Sequence, residues 1–399
     1  MSASVGADRF TIEFLDGLRK EGDPEADKAV ATYFHDELAA TPATEPATEP
    51  ATDLMKLMIA AAPRQFAAAP GSDEGSPALR AFVGARPPLP LWADPKLIKL
   101  GQDLFAEYLP QFGLALWMAS IPAGYAGAKD AVVLERTAQL VSHAKRRFLE
   151  TGQFVLDVMT EGGLDDNGDG AADIRHVRLM HAAVRHMLQH EDHGHDLSGW
   201  DPAFGTPLNQ EALLATQFTF SVVGLRSLHR FGVHVSDHEK EAYIHLWSVI
   251  GHLMGVRDDL LPLDYADSST VWDQITKKEY AASPGGKCLT KAAIQVMQQL
   301  IPGRALDGLP ATGIRFLLGN ETANLLGVPR ADWTRALFVP GQMLGHMMSL
   351  FDRDSVAGEE ITRLLGRTAF KQFLMFERRP DGRPSFEVPE EMQRALGMI

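Results

Sequence analysis

At 399 residues the chain is long enough for two domains, or for one large domain with additions, and its 45% hydrophobic content supplies a sizeable core. A formal charge of −14 excludes a nucleic-acid partner held by phosphate contacts, because no Lys/Arg cluster is large enough to offset the repulsion. Cys288 is the single cysteine, which excludes both a disulfide framework and a thiolate metal cluster.

Residues 8–39 predict one or two surface helices with ordinary charge spacing. Residues 41–53 then repeat Thr-Pro-Ala-Thr-Glu-Pro, a low-complexity linker interrupted by proline. A second weak region spans 68–90 and ends in Arg86-Pro87-Pro88-Leu89-Pro90, after which Leu97 to Met118 resumes an apolar helical pattern. Periodic segments follow at 132–160, 174–192, 209–231, 236–256, 289–300, 310–326 and 330–352, separated by turns rich in Gly and Pro. No alternating run persists long enough to read as a strand. The expectation is an all-α fold, with a helical arm at 1–90, a core at 91–355 and a C-terminal extension at 356–399. No basic segment followed by an apolar run opens the chain, and no stretch approaches the roughly twenty apolar residues of a membrane span. The chain as it stands is expected in the cytoplasm as a monomer, or secreted if a leader precedes it.

The most informative residues lie on two segments that a Gly- and Asp-rich turn should fold against each other. The first helix runs from about Val132 to Thr160 and stops at Gly162-Gly163; the second restarts near Asp173, a candidate N-cap. Thr151 and His181 each fall about 12–15 Å from the turn at the helical rise, so they are level with each other. Arg147 and Thr151 share one face, as do His181 and Arg185. A hydroxyl, a guanidinium and an imidazole are thereby expected to converge on one buried space, His181 being set among Val177, Leu179, Met180 and Ala182.

Other histidines compete. His186 and His190 have the spacing of a metal-binding helix face, with His193 nearby, but the run from Gln189 to His195 is polar on every side and reads better as a solvated helix end. The turn Asp165-Asp166-Asn167-Gly168-Asp169-Gly170 reproduces the first half of a calcium loop, whereas His176 stands where the bidentate glutamate belongs. A solvated Asp/Gly turn, with at most a weak cation, is the expectation there. Phe218, Phe220, Leu246, Trp247, Ile250, Leu253 and Met254 read as core, and Asn209-Gln210-Glu211 as a helix start without functional content.

The Arg147-x-x-x-Thr151 step, the segment Val177 to Arg185 and the segment Leu246 to Val256 resemble the latex clearing proteins, rubber oxygenases grouped with the mycophenolic-acid pathway oxygenases. The resemblance covers roughly residues 90–350. It implies a globin-like helical core with added helices at either end, and a b-type haem whose iron is held by His181, with Arg147 and Thr151 lining the distal side. A neutral imidazole on an apolar helix face suits haem iron, and the small Ala182 and Ala183 would let the porphyrin approach the backbone. The implied activity is oxidative cleavage of carbon–carbon double bonds in polyisoprene or a related isoprenoid by dioxygen, giving aldehyde and ketone ends. Where some relatives place a lysine just before the threonine, this chain has Glu150, which cannot cap the iron as an amine does. Relatives also use a distal glutamate as a base; position 131 is Ala here, leaving Glu135 and Glu150 as candidates. Two alternatives stay open: a non-haem metal enzyme built on His186, His190 and His193, and a haem-binding sensor or carrier without turnover.

Overall fold

The computed structural model describes residues 6–40, 77–85, 87–137, 144–190, 200–261, 263–300 and 306–337. Among the described residues the chain is helical and no strand forms; a lone bridge pairs Gly127 with Tyr280. The architecture is all-α. The linker at 41–53 and the C-terminal extension at 356–399 lie outside the described residues.

The N-terminal segment is not a surface layer. It forms α1 (Ile12–Leu18) and α2 (Pro24–Ala40), and both bury apolar side chains deeply. Leu15 and Leu18 join the principal core, while Val30, Tyr33 and Phe34 build a second cluster with Leu179, Ala182 and Ala183. Part of the second weak stretch is also helical, α3 (Pro77–Gly84), because Leu79, Phe82 and Val83 close that cluster.

Helix α4 (Pro95–Glu107) starts where the Asp94 side chain accepts the Lys96 N–H and Pro95 fills a position that needs no donor. The apolar run expected to continue to Met118 breaks at Tyr108, restarts as α5 (Leu109–Ala115), and widens into a π-turn at Leu116–Ser120. There follow α6 (Ile121–Ala126) and α7 (Ala128–Thr137). Of the first site helix expected from Val132 to Thr160, the stretch up to Thr137 belongs to α7 and α8 covers Ala144–Met159, while residues 138–143 lie outside the described residues.

Helix α9 (Asp169–Gln189) begins a turn earlier than expected, with Gly168 rather than Asp173 at the N-cap. The α8–α9 hairpin is tight because a Cβ on Gly170 would stand 2.7 Å from the Asp157 carbonyl oxygen, a separation only glycine permits. Next come α10 (Gln210–Phe220) and α11 (Val222–Arg230), divided at Ser221 where one helix had been expected. Helix α12 (Asp237–Leu253) opens with a capping box between Ser236 and Glu239. It lies close along α4, where a Cβ at Gly101 would approach the Ala242 carbonyl oxygen to 2.9 Å. Helix α13 (Tyr265–Glu279) has no counterpart among the expected segments; α14 (Pro284–Leu300) and α15 (Leu309–Leu325, bent at Gly319) complete the described core. Of the segment 330–352, Trp333–Leu337 form a 3-10 turn and the remainder past 337 lies outside the described residues.

Candidate active site

A cavity of about 260 Å³ opens between α6, α7, α8, α9, α10, α13 and α14. Thr151 from α8 and His181 from α9 both line it, so the hairpin brings the hydroxyl and the imidazole to one space. Phe148, one helical turn before Thr151, shares that wall and stacks on Trp117 of the π-turn at 4.8 Å. Much of the remaining wall is apolar and small, with Ala123, Gly124, Ala212, Ala215 and Ala292 leaving room that larger side chains would fill. Leu208, also in the wall, is the non-glycine residue with positive φ (51°) among the described residues.

Other expected site residues are placed differently. Arg147 lies on α8, but its side chain is outside the described residues. Arg185 does not converge with His181. It is buried against α2, pairs with Asp27, and donates to the carbonyl oxygens of Pro207 at 3.0 Å and Leu208 at 2.9 Å. It therefore holds the backbone of a cavity residue from behind. Ala182 and Ala183 do not face the cavity either; their small size serves the packing of α9 on α2. His181 is partly exposed, whereas His176 is buried, and burial pushes the His176 imidazole down to about 4.

Neither glutamate singled out as a base lines the cavity. Glu150 is half-buried on α8, off the face shared by Phe148 and Thr151. Glu135 is exposed, with its carboxylate against Gly285 in the first turn of α14, where the helix dipole favours it. The carboxyl groups in the wall are instead Asp130 and Glu279, joined by the phenol of Tyr280.

These two acids belong to a buried ionic network that sequence reasoning missed. Arg19, at the C-cap of α1, donates to Glu211 at 3.1 Å and to Asp130 at 3.2 Å, and lies 3.5 Å from Glu279. Lys278 contacts Glu211 at 3.0 Å and Glu279 at 3.0 Å, and Lys129 donates to Glu279 at 2.9 Å. Burial raises the Asp130 carboxyl above the ordinary range against the opposing pull of Arg19. Glu279 goes the other way: burial would raise it, but Arg19, Lys129 and Lys278 together hold it below. The two carboxyls on one wall thus differ in basicity. Asn209 caps α10 as its sequence suggests, yet Glu211 two residues on is part of this network, contrary to a purely structural reading.

The histidine cluster and the acidic turn present no comparable arrangement. The rings of His186 and His190 stack at 4.1 Å, presenting faces to each other, and His193 lies outside the described residues. Among the described residues no group of three or more His, Cys, Asp or Glu side chains is arranged to hold a metal ion, the Asp165–Gly170 turn included.

Residues 99–349 match the family described as ER-bound oxygenase mpaB/B'/Rubber oxygenase, catalytic domain. The chain belongs to this family. Members of the rubber oxygenase family include the "Rubber oxygenase" of Streptomyces sp. (strain K30), which is 25% identical over 272 residues. That alignment takes in 66% of this chain and spans 63% of the relative's length. A solved structure titled "Structure of Latex Clearing Protein LCP in the closed state" shares the fold, with a TM-score of 0.66 at 21% identity over 92% of this chain and 93% of the other. No helix among the described residues is long and apolar enough to cross a membrane. The chain is thus a member of an oxygenase family.

Proposed function

We propose that this chain is a haem-dependent oxygenase that cleaves a carbon–carbon double bond of polyisoprene or a related isoprenoid, giving one aldehyde and one ketone end. The observation that carries this reading is the cavity itself: an imidazole and a hydroxyl from two separate helices meet in a space otherwise walled mainly by apolar and small side chains. The residues fit a haem, with His181 supplying the nitrogen donor and the alanines and Gly124 admitting a flat ring. Bound there, haem would supply activation of dioxygen.

The chain's own residues do the rest. The apolar wall formed by Phe148, Leu213, Phe220 and Ile275 holds the hydrocarbon and excludes water. Thr151 donates a hydrogen bond where negative charge develops on oxygen. Asp130, its carboxyl made more basic by burial, takes an allylic proton and returns it. Cleavage of one double bond consumes both atoms of one dioxygen, one in each carbonyl, and requires no external electrons. The protein should consume dioxygen with polyisoprene or a short isoprenoid and release fragments bearing one aldehyde and one ketone, with labelled oxygen in both when trapped before exchange. Epoxides or alcohols without cleavage would contradict the dioxygenase reading, and absence of uptake across a panel of isoprenoids would favour a sensor or carrier.

A further inference from the structure

Tyr280 lines the cavity, and its hydroxyl is buried yet meets no hydrogen-bond partner among the described residues. Leaving such a group unsatisfied costs about 1–3 kcal/mol. The residue is nevertheless fixed. Its backbone bridges to Gly127, the Ala281 N–H donates to the Ala126 carbonyl oxygen at 3.2 Å, and its ring meets Trp272 edge-on at 6.0 Å with an interplanar angle of 87°. Burial pushes the phenol well above its ordinary value, so it stays protonated and remains a donor throughout the working pH range.

The neighbouring wall does not complement it. Glu279 is engaged through Oε1 by Lys129 and Lys278, while its Oε2 lies 3.5 Å from Arg19 and takes no hydrogen bond, from Tyr280 or any other described residue; Asp130 is engaged by Arg19. Three cations, Arg19, Lys129 and Lys278, are set against four carboxyl groups, Asp16, Asp130, Glu211 and Glu279, so the network offers no surplus positive field for an anion. A hydrocarbon filling the cavity would leave the phenol unsatisfied. A neutral oxygen would satisfy it.

We propose that the substrate of this chain is an isoprenoid carrying a neutral oxygen function, a carbonyl, alcohol or ether, that accepts a hydrogen bond from Tyr280 while its hydrocarbon part occupies the apolar wall. This rests on the oxygenase reading above and narrows its substrate from a pure hydrocarbon to one with a polar end. Tyr280 is then a specificity-determining residue, distinct in role from His181 and Thr151.

The test compares farnesal with farnesene, its hydrocarbon counterpart, by quenching of tryptophan fluorescence in the protein as purified; Trp272 lies in the cavity wall. The wild type should bind farnesal about tenfold more tightly than farnesene, the ratio expected for one buried hydrogen bond. Tyr280→Phe should abolish that preference while changing farnesene affinity by less than about twofold. An unchanged preference in the variant, or an equal loss for both ligands, would overturn the proposal. Absorbance in the Soret region, recorded on both proteins, separates the remaining possibilities. Loss of haem on Tyr280→Phe would mean that the phenol serves the cofactor and would overturn the proposal. A wild type without haem would defeat the cofactor reading, while the two-ligand ratio would still decide for or against the role of Tyr280.

Discussion

Replacing Arg19 by Met should expose how strongly the buried ionic network holds α1 to the cavity wall. Arg19 is only 5% exposed and contacts Glu211, Asp130 and Glu279, besides donating to the Phe204 carbonyl oxygen at 3.1 and 3.0 Å. Removing one partner of a buried ion pair costs about 3–5 kcal/mol, because the remaining charge stays in a low-dielectric setting. Three carboxyl groups share that loss here, although Lys129 and Lys278 still neutralise Glu279 and Glu211. The expected destabilisation is therefore about 3–5 kcal/mol at pH 8 rather than a multiple of it. Its pH dependence is the sharper signature. Asp130 and Glu211 already have raised carboxyl values through burial, and loss of Arg19 moves both further up. A carboxyl whose folded value exceeds its unfolded value binds a proton more tightly when folded, so stability falls as pH climbs between the two values. The variant should thus recover at least about 1 kcal/mol relative to wild type between pH 8 and pH 5. Urea unfolding at both pH values, with m-values compared, measures this directly. A loss below about 1 kcal/mol at both pH values, or a larger loss at pH 5 than at pH 8, would refute the reasoning.

Three further outcomes are expected. His176 is neutral when folded, with its value pushed down to about 4 from 6.5, so the unfolded chain gains the proton first as pH falls. His176 alone should contribute a decline of about 3 kcal/mol between pH 6.5 and pH 4, and urea titrations of wild type and His176→Leu should differ in their pH dependence by about that amount across the window. Arg185→Lys should destabilise by about 2–3 kcal/mol in the same assay, since an ammonium cannot serve Asp27 and the Pro207 and Leu208 carbonyls as the planar fork does. Thr151→Ala should keep most of its haem absorbance while turnover of an isoprenoid falls about 100-fold, the cost of a lost transition-state hydrogen bond.

The all-α fold was legible because its periodic segments are long and its punctuation is local. Asn209 and the Ser236/Glu239 box cap helices as their spacing suggests, and glycines form the α8–α9 turn. Thr151 and His181 could be paired in advance because a hairpin keeps residues equidistant from its turn level with each other. Helix α13 escaped notice for a physical reason. Its sequence from Tyr265 is rich in Ser, Thr and Asp, weak helix formers, and its stability comes from burying Val271, Trp272 and Ile275 against helices far away in the chain. Missing that helix also concealed Glu279 and, just beyond it, Tyr280. The doublets Lys129-Asp130 and Lys278-Glu279 were the available signal for the network, but adjacent opposite charges are ordinary on a solvated surface. Only folding shows that both meet Arg19, itself in a segment that read as a surface helix. Glu135 and Glu150, the candidate bases, do not line the cavity, and their closeness in sequence to the site residues does not set which helix face a carboxylate takes.

The most direct test of the haem-oxygenase account is the absorbance spectrum of the purified protein beside that of His181→Ala. The account predicts a Soret band in the wild type that is largely lost in the variant, while His190→Ala keeps it and all three proteins remain folded by circular dichroism. A folded wild type with no Soret band, or a His181→Ala protein with its full haem content, would contradict it.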